Sequence, residues 1–261
     1  MTASPLGVST DHGPLRVVYL LEDLAFGGTQ RQALELARRL DPGRFAVELW
    51  MLTAGADFAP LAREAGLVTR WLGSGRTLGP AGLLALWRHL RRHRPDVLVL
   101  LTALPNIWGR ILGRISGTRA IVGNIRQGGA PRRYHERWLW RLAHHHICNA
   151  QALKEQLVRD YGIPATRVTV IHNGVDTEAF APSGDGGKEG EGAERPVVLS
   201  AGRLVADKDQ ASLLRAFATV APAHPEAELW MVGNGILRDE LVGLARELFS
   251  GKAARQLTAA D

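Results

Sequence analysis

The stretch RVVYLLEDLAFGGTQRQALELARRL (16–40) indicates the fold class of this chain. Residues 16–21 form a short apolar run rich in β-forming side chains, which predicts a buried strand. The second half of the stretch places apolar residues at the spacing of one helix face: Ala33, Leu36, Ala37 and Leu40. Thr29 is predicted to cap this helix. A buried strand followed at once by a helix is the repeating unit of proteins with a parallel sheet.

The alternation of strand and helix continues beyond residue 40. Further strands are predicted at 45–52, 67–72, 96–101, 120–124, 146–149 and 168–171. Helical stripes lie between them, one through Leu83, Leu86, Trp87 and Leu90 and another through Trp108, Ile111, Leu112 and Ile115. This pattern predicts an α/β fold with a Rossmann-like parallel sheet over residues 15–181, after a flexible tail at residues 1–14.

A glycine-rich, charged stretch at 182–195 has almost nothing that could pack in a core, which predicts a linker. After it the pattern restarts, with strands at 197–200 and 228–232 and helical stripes within 213–220 and 237–248. Residues 196–261 are therefore predicted to form a second Rossmann-like unit. Since a doubly wound domain of this kind has about six strands, we expect this unit to be incomplete and to expose apolar surface.

Composition narrows the class of protein. With 46% hydrophobic residues in 261, the chain is not a mostly disordered one. It has no apolar run of about 18 residues and no secretory signal pattern, and its one cysteine, Cys148, fits a reducing cytoplasm. The net charge of +6 and the pI near 10.1 favour a polyanionic partner such as phosphate groups, an anionic membrane face or nucleic acid.

The glycine pair Gly27–Gly28 is the first candidate phosphate site. Glycine lets a backbone approach a ligand closely, and the following helix start offers free N–H groups and a positive dipole. A purely structural strand–helix turn remains an alternative. No G-x-G-x-x-G or G-x-x-x-x-G-K-[ST] motif is present, which disfavours a dinucleotide dehydrogenase and a P-loop NTPase.

A second candidate phosphate site follows the strand predicted at 197–200. Arg203 offers a bidentate fork and Lys208 a point charge, a usual combination for a diphosphate. Gly233 and Gly235 follow the next predicted strand, also at its carboxyl end, where open α/β sheets bind ligands. Two solvated surface cations and an ordinary strand–helix loop are the structural alternatives.

Four other sequence features allow either a structural or a functional interpretation. Asn173–Gly174 predicts a tight turn, with a possible hinge role between the two units. The run 144–146 of three histidines is a poor metal site, because alternate residues of a strand face opposite ways. Cys148 is expected to be a small buried residue rather than a nucleophile. The basic, tryptophan-containing segments 87–94 and 132–141 suit either an anionic membrane surface or ordinary amphipathic helices.

Five stretches, in this order, resemble the retaining glycosyltransferases of family 4: FGGTQRQALELARRL (26–40), ALPNIWGRILGRISG (103–117), NAQALKEQLVRDYGIPATRVTVIHNGVDTEAF (149–180), SAGRLVADKDQASLLRAFA (200–218) and LWMVGNGILRDELVGLAREL (229–248). The resemblance implies the glycosyltransferase B fold, two Rossmann-like domains facing across a cleft. It also implies a nucleotide-diphosphate sugar as donor, and a saccharide or lipid-linked acceptor of the kind used in cell-envelope polysaccharide synthesis. No metal or other cofactor is expected.

The resemblance assigns roles to individual positions. Arg203 and Lys208 match the pair that contacts the donor diphosphate, and Gly27 and Gly28 match glycines near it. The family's histidine after the fifth strand of the first domain is absent here, and Arg126 is expected to take its place at the transferred sugar. The basic helices are expected to hold the chain at the inner face of a membrane, in the cytoplasm.

The largest departure from the family is at the C-terminus. The family has two glutamates separated by seven residues late in its second domain, and this chain stops before that point, so we expect it to be truncated or frameshifted near Leu248. The main alternative is therefore a non-catalytic fragment that binds at most an acceptor or a membrane. A nucleotide-sugar epimerase is disfavoured by the Asn-Gly-Val-Asp and Gly-Arg-Leu stretches, and nucleic-acid binding has only the basic pI in its favour.

Overall fold

The computed structural model describes residues 13–126, 135–181 and 195–249. The chain divides into two compact units, residues 1–180 and 181–261. Most of the predicted tail at 1–14 and of the predicted linker at 182–195 lies outside the described residues.

The first unit is built on a parallel sheet, of seven strands within the described residues. They are β1 (Leu15–Leu21), β2 (Phe45–Met51), β3 (Val68–Trp71), β4 (Val97–Leu100), β5 (Ala120–Ile125), β6 (His145–Cys148) and β7 (Val168–Val170). Their order in the sheet is β3-β2-β1-β4-β5-β6-β7, that of a doubly wound fold. The predicted Rossmann-like parallel sheet is thus confirmed, and each predicted strand lies within one residue of its expected ends.

Helices cover both faces of this sheet. They are α1 (Gly28–Ala37), α2 (Ala59–Glu64), α3 (Pro80–His93), α4 (Arg110–Ile115), α5 (Glu136–Leu139) and α6 (Gln151–Tyr161). Because side chains of a strand alternate, Tyr19 packs with α1 on one face while Leu20 packs with α3 on the other. A third cluster joins α6 to β5–β7 around Leu157 and Cys148.

Three predictions about helix ends and faces are wrong. Leu36, predicted on the core-facing stripe of α1, is 52% exposed, and Leu34 is buried instead. Thr29 does not cap α1, because the helix already begins at Gly28 and its N-cap is Gly27. The segment before α4 is a π-helical turn, Pro105–Gly109, and the buried residues of the pair are small or polar ones rather than the predicted stripe. Ile115, for example, is 62% exposed. A side chain at Gly109 would overlap those of Leu100 and Leu20. The turn can therefore pack against the sheet at this position only because residue 109 is a glycine.

The structure describes the second basic helix, predicted at 132–141, from residue 135 onward. There it consists of α5 followed directly by a 3₁₀ turn, Trp140–Leu142, which together carry Arg137 and Arg141, and Arg133 lies outside the described residues. Trp140 is buried, whereas Trp138 is 75% exposed. No helix in the described residues is long and apolar enough to span a bilayer.

The second unit has, between residues 195 and 249, two parallel strands and two longer helices. These are β8 (Val197–Ala201), β9 (Glu228–Val232), α7 (Gln210–Val220) and α8 (Arg238–Leu248). Its small core centres on Leu204, Leu214 and Leu241. Much of the apolar surface of the strands remains uncovered, with Leu199 61% and Val232 51% exposed.

Candidate functional site

The carboxyl edge of the first sheet contains a point at which the strand order reverses. After β3 the chain returns to the other side of β1 and continues with β4, so the loops after β1 and β4 lie side by side. In open α/β sheets this is the position at which ligands bind. The loop after β1 contains the predicted glycine pair.

The start of α1 is open to a ligand. Gly27 has an extended backbone, and no side chain caps the helix or places a negative charge in its first turn. The N–H groups of this turn therefore lack helical acceptors and carry the positive end of the dipole. Apart from its chain neighbours and the α1 backbone, no atom lies within 4 Å of where a side chain at Gly28 would begin, whereas at Gly27 that position is 2.5 Å from the Gln30 side-chain oxygen. Gly28 has the open approach that a phosphate group requires.

Two carboxylates that the sequence analysis did not single out lie next to the glycine pair. Asp23 accepts hydrogen bonds from the Ala25 N–H (3.1 Å) and the Gln30 side-chain amide (2.9 Å). Burial and the charge of Asp23 raise the pKa of Glu22. A carboxyl group here suits the hydroxyl groups of a sugar better than the oxygens of a phosphate, because it can accept hydrogen bonds from hydroxyls.

Thr102, at the end of β4, has a positive φ of 72°, which is rare for a β-branched residue. Its hydroxyl oxygen accepts a hydrogen bond from the Glu22 backbone N–H at 3.2 Å, which ties the loop after β4 to the loop after β1. Unusual backbone conformations of this kind concentrate at ligand sites, because the surrounding structure must impose them.

The buried side chain of Asn106 links the carboxyl ends of β4 and β5. Its fully buried side-chain amide donates to the carbonyls of Leu100 (3.0 Å), Thr102 (2.7 Å) and Asn124 (3.2 Å). Its own oxygen accepts a hydrogen bond from the Arg110 guanidinium at 2.8 Å. The amide therefore fixes the positions of two strand ends that border the candidate site.

A buried ion pair continues this network. The Arg110 guanidinium binds both oxygens of the Glu136 carboxylate, at 2.7 and 3.2 Å, and both side chains are fully buried. Burial alone would raise the pKa of Glu136, but the nearby His135 and the Arg110 charge lower it to about 2. The Arg110 guanidinium packs against β5 at Gly123. A side chain at Gly123 would lie 2.7 Å from the guanidinium, so a glycine is required there.

One part of this network has a signal in the sequence. Asn106 and Arg110 are four residues apart in an otherwise apolar helical stretch, which is the spacing of one helix turn. Pairing with Glu136 could not be anticipated, because it joins the first residue of α4 to the first residue of α5, which lies 26 residues further along the chain.

Arg126 lies immediately after β5, at the same carboxyl edge. It is half-buried, its burial lowers the pKa of its guanidinium, and it donates a hydrogen bond to the Asn173 side-chain oxygen. The neighbouring Gly174 exchanges two hydrogen bonds with the Gln32 side chain of α1, at 2.7 and 3.0 Å. The structure thus brings Arg126 and residues 173–174 together with the helix that begins at Gly28. The tight turn predicted at Asn173–Gly174 is wrong, because neither residue has the positive φ such a turn requires, and the turn lies at 177–180 instead.

Asp176 fastens the same segment to the end of α1. Its carboxylate pairs with Arg39 at 2.6 Å and with Arg38 at 3.5 Å. Hydrogen bonds from the Ala179 and Glu178 backbone N–H groups, with the charges of Arg39 and Arg38, lower the pKa of Asp176. Residues 173–176 are therefore bound to α1 at two positions.

In the second unit, Arg203 and Lys208 lie in the loop between β8 and α7. Both side chains are exposed, and neither forms a hydrogen bond or an ion pair with any residue in the described ranges. The Arg203 backbone carbonyl accepts a hydrogen bond from the buried side-chain amide of Gln210 at 2.9 Å, which holds the loop against α7. The two cations are thus carried on a fixed loop at the carboxyl end of β8.

Gly233 and Gly235 bring the loops after β8 and β9 into close contact. Gly233 has a φ of 147°, and a side chain at either glycine would overlap a backbone carbonyl, that of Gly202 or that of Leu204. The Leu204 N–H also donates to the Asn234 carbonyl at 2.9 Å. Their direct role is therefore to shape the Arg203 loop, while contact with a ligand stays a prediction.

The remaining candidates, His146 and Cys148, are buried in the core. His146 is fully buried, and burial together with the Arg110 charge lowers its pKa to about 4. Burial also raises the pKa of the Cys148 thiol, which suits a packing residue better than a nucleophile. Among the described residues, no group of three or more His, Cys, Asp or Glu side chains could hold a metal ion.

Comparison with known proteins identifies the family. Residues 26–179, more than half of the chain, match Glycosyltransferase Family 4, and they include α1 and the carboxyl ends of β2 to β7. The chain belongs to this family. The open start of α1, Arg126 and residues 173–174 all lie within the matched region.

Individual relatives match parts of their own length. The N-acetylgalactosamine-N,N'-diacetylbacillosaminyl-diphospho-undecaprenol 4-alpha-N-acetylgalactosaminyltransferase of Campylobacter jejuni is 31% identical over 38% of this chain and 26% of its own. The D-inositol 3-phosphate glycosyltransferase of Streptomyces avermitilis is 27% identical over 90% of this chain and 58% of its own. The match thus covers about a quarter of the length of the first relative and somewhat over half of the length of the second.

A solved structure supports the fold over both units. HepE of Anabaena, in complex with UDP, superposes with a TM-score of 0.69 at 20% identity, covering 90% of this chain and 66% of its own. At this identity the likeness establishes the architecture, which is that of glycosyltransferase B proteins.

Proposed function

We propose that the protein is a retaining glycosyltransferase that moves a sugar from a nucleotide-diphosphate sugar to a saccharide or lipid-linked acceptor. The observation that carries this proposal is the family 4 match over residues 26–179, which contains the glycine pair, Arg126 and the carboxyl ends of β2 to β7. The UDP complex of HepE, a protein of the same architecture, supports a nucleotide donor.

Each proposed residue role follows from charge and position. Arg203 and Lys208, exposed and unpaired within the described residues, would neutralise the leaving diphosphate. The open start of α1 at Gly27 and Gly28 would add the N–H groups and the positive dipole end of a helix. Arg126 would contact the transferred sugar or the acceptor. Such a reaction needs no protein nucleophile, and we expect neither a metal nor another cofactor.

The test is a transfer assay with the purified protein, a panel of nucleotide-diphosphate sugars and both saccharide and lipid-linked acceptors. Release of the nucleoside diphosphate reports turnover. We expect Arg203→Gln and Lys208→Gln each to lower turnover about a hundredfold, since each removes a charge that stabilises the leaving group. Arg215→Gln, on the exposed side of α7, is the matched control and should be neutral. Normal turnover in Arg203→Gln would refute the diphosphate assignment.

A second candidate function is binding without catalysis, at an acceptor or a membrane. The exposed indole of Trp138 beside the exposed cations Arg137 and Arg141 favours it, since tryptophan and arginine together are typical of anionic lipid surfaces. This would place the chain at the cytoplasmic face of a membrane. Absence of turnover together with co-sedimentation on phosphatidylglycerol vesicles that Trp138→Ser abolishes would favour this function over the first.

A further inference from the structure

The first unit has a pocket at the amino edge of its sheet, in addition to the candidate site at the carboxyl edge. The pocket has a volume of about 440 Å³ and lies where β1, β4 and β5 begin. Arg16 is in β1, Asp96 directly precedes β4, and Arg119 directly precedes β5. Because these strands are parallel, their amino ends lie at the opposite edge from their carboxyl ends, so the pocket is separate from the proposed catalytic site.

The pocket is strongly cationic. Its lining includes four arginines and one carboxylate: Arg16, Arg91, Arg94, Arg119 and Asp96. The Asp96 carboxylate is bound to Arg16. It accepts hydrogen bonds from the Arg16 backbone N–H at 2.9 Å and from the Arg16 guanidinium at 3.4 Å. These bonds and the charge of Arg119 lower the pKa of Asp96. Three guanidinium groups are left without a carboxylate partner in the pocket wall.

Arg94 and Arg119 are the free cations of this wall, because the third guanidinium group, that of Arg91, lies over the Trp87 ring at 5.5 Å. Both are exposed, and neither side chain makes a hydrogen bond or an ion pair with any residue for which the structure gives a position. Arg94 is the C-cap of α3 and has a positive φ of 42°, where glycine is the usual residue. An arginine in this conformation strains the backbone, and such strain is concentrated at functional sites. This is a reason to look for a ligand of the Arg94 side chain.

Two hydroxyl groups in the same wall also lack partners. The side-chain oxygens of Ser116 and Thr118 are buried and have no hydrogen-bond partner among the described residues, and Thr118 as a whole is only 9% exposed. Buried hydroxyls in native proteins are nearly always hydrogen-bonded. Basic residues at the C-terminus of α3 could be explained by the helix dipole alone, but unpaired hydroxyls beside them could not.

We propose that this pocket binds a ligand carrying a phosphate or diphosphate group. Guanidinium groups pair with phosphate oxygens through two parallel hydrogen bonds, which suits Arg94 and Arg119. The hydroxyl oxygens of Ser116 and Thr118 have almost no accessible surface in the empty pocket, so they supply further hydrogen bonds to the phosphate only after their side chains rotate toward it. The exposed side chain of Ile115, at 62%, offers apolar contact to the rest of the ligand. The volume is within the range of ordinary small-molecule sites.

The test is calorimetric titration with pyrophosphate in an Arg203→Gln background, which removes a proposed diphosphate contact in the second unit. We expect saturable binding, which the double variant Arg94→Gln/Arg119→Gln weakens more than about tenfold, because it removes two charge-assisted contacts. Arg92→Gln is the matched control, since Arg92 is exposed at the same end of α3 but does not line the pocket.

Thr118→Val separates a binding role from a structural one. It removes the hydroxyl and keeps the shape and charge of the wall, so it should weaken pyrophosphate binding without lowering thermal stability. Unchanged affinity in Thr118→Val and in the double variant, or an equal loss in Arg92→Gln, would overturn the proposal. These results do not depend on sugar transfer, so they stand apart from the outcome of the transfer assay.

A second arm distinguishes a soluble ligand from a lipid headgroup. It uses phosphatidylcholine vesicles with and without phosphatidic acid. Co-sedimentation that requires phosphatidic acid, and that the double variant but not Trp138→Ser abolishes, would assign the pocket to a headgroup. Pyrophosphate binding without such co-sedimentation would assign it to a soluble phosphorylated molecule.

Discussion

At the level of single residues, the buried contacts of Asn106, Arg110 and Glu136 determine how the carboxyl edge of the first unit is held. Each side chain is fully buried, and the three are joined by hydrogen bonds between 2.7 and 3.2 Å. A buried charge is tolerated only when it is paired, so each member depends on the others.

We expect Glu136→Gln to lower the free energy of unfolding by about 3–5 kcal/mol, because it leaves the Arg110 charge buried without a counter-charge. Urea unfolding followed by circular dichroism measures this change. Glu155→Gln, an exposed carboxylate on α6, is the control and should change stability by less than about 0.5 kcal/mol. An equally small effect of both variants would mean that the ion pair does not stabilise the fold.

Protonation of His146 gives a second prediction at this scale. Its pKa is 6.5 when unfolded and about 4 when folded, so between these values the unfolded chain binds a proton that the folded chain does not. The free energy of unfolding should therefore fall as the pH is lowered from 6.5 to 4, by at most about 3 kcal/mol. Urea titrations at several pH values measure the slope.

His146→Gln should flatten this pH dependence, whatever it does to stability at neutral pH. The control is His224→Gln, because His224 is exposed on the second unit. A slope between pH 6.5 and 4 that is the same in all three proteins would show that His146 is not the titrating group.

At the level of secondary structure, α1 has two roles in the candidate site. Its start presents open N–H groups at Gly27 and Gly28, while Gln32 on the helix and Arg39 just after its end hold residues 173–176. The sequence predicted the helix, because four apolar residues recur at helical spacing. It could not predict what the polar face binds, since Gln32 meets Gly174 across 142 residues of chain.

We expect Gln32→Ala to release residues 173–176 from α1, because it removes both hydrogen bonds to Gly174. Limited chymotrypsin digestion should then cut after Phe180 several times faster. Gln156→Ala, a change of the same kind on α6, should leave the rate unchanged. Equal cutting rates in all three proteins would mean that the Gln32 contacts do not restrain this segment.

At the level of the whole molecule, the two units differ in how fully their sheets are covered. The strands of the first unit have apolar clusters on both faces, around Leu49 and around Leu98. Within residues 195–249 the second unit has two strands, and Leu199 and Trp230 remain 61% and 43% exposed. This agrees with the apolar exposure expected from the small number of strands in that part of the sequence.

Hydrogen exchange should report this difference. We expect the amides of β8 and β9 to exchange at least about a hundredfold faster than those of β1 and β4, because a two-stranded sheet is only marginally stable. Mass spectrometry of peptides covering 197–201 and 15–21 gives both rates in one experiment. Equal protection of the two peptides would contradict an incompletely covered second unit.

The sequence by itself determined the fold class, the strand positions and the family. Apolar periodicity depends on local spacing, and five ordered stretches identify family 4 without any knowledge of contacts. Only the tertiary structure decided which polar side chains are paired. Arg110 with Glu136, Arg126 with Asn173 and the free arginines of the amino edge depend on contacts between residues far apart in the chain. Such contacts are set by the sheet order, which brings distant strand ends together and leaves no periodic trace in the sequence.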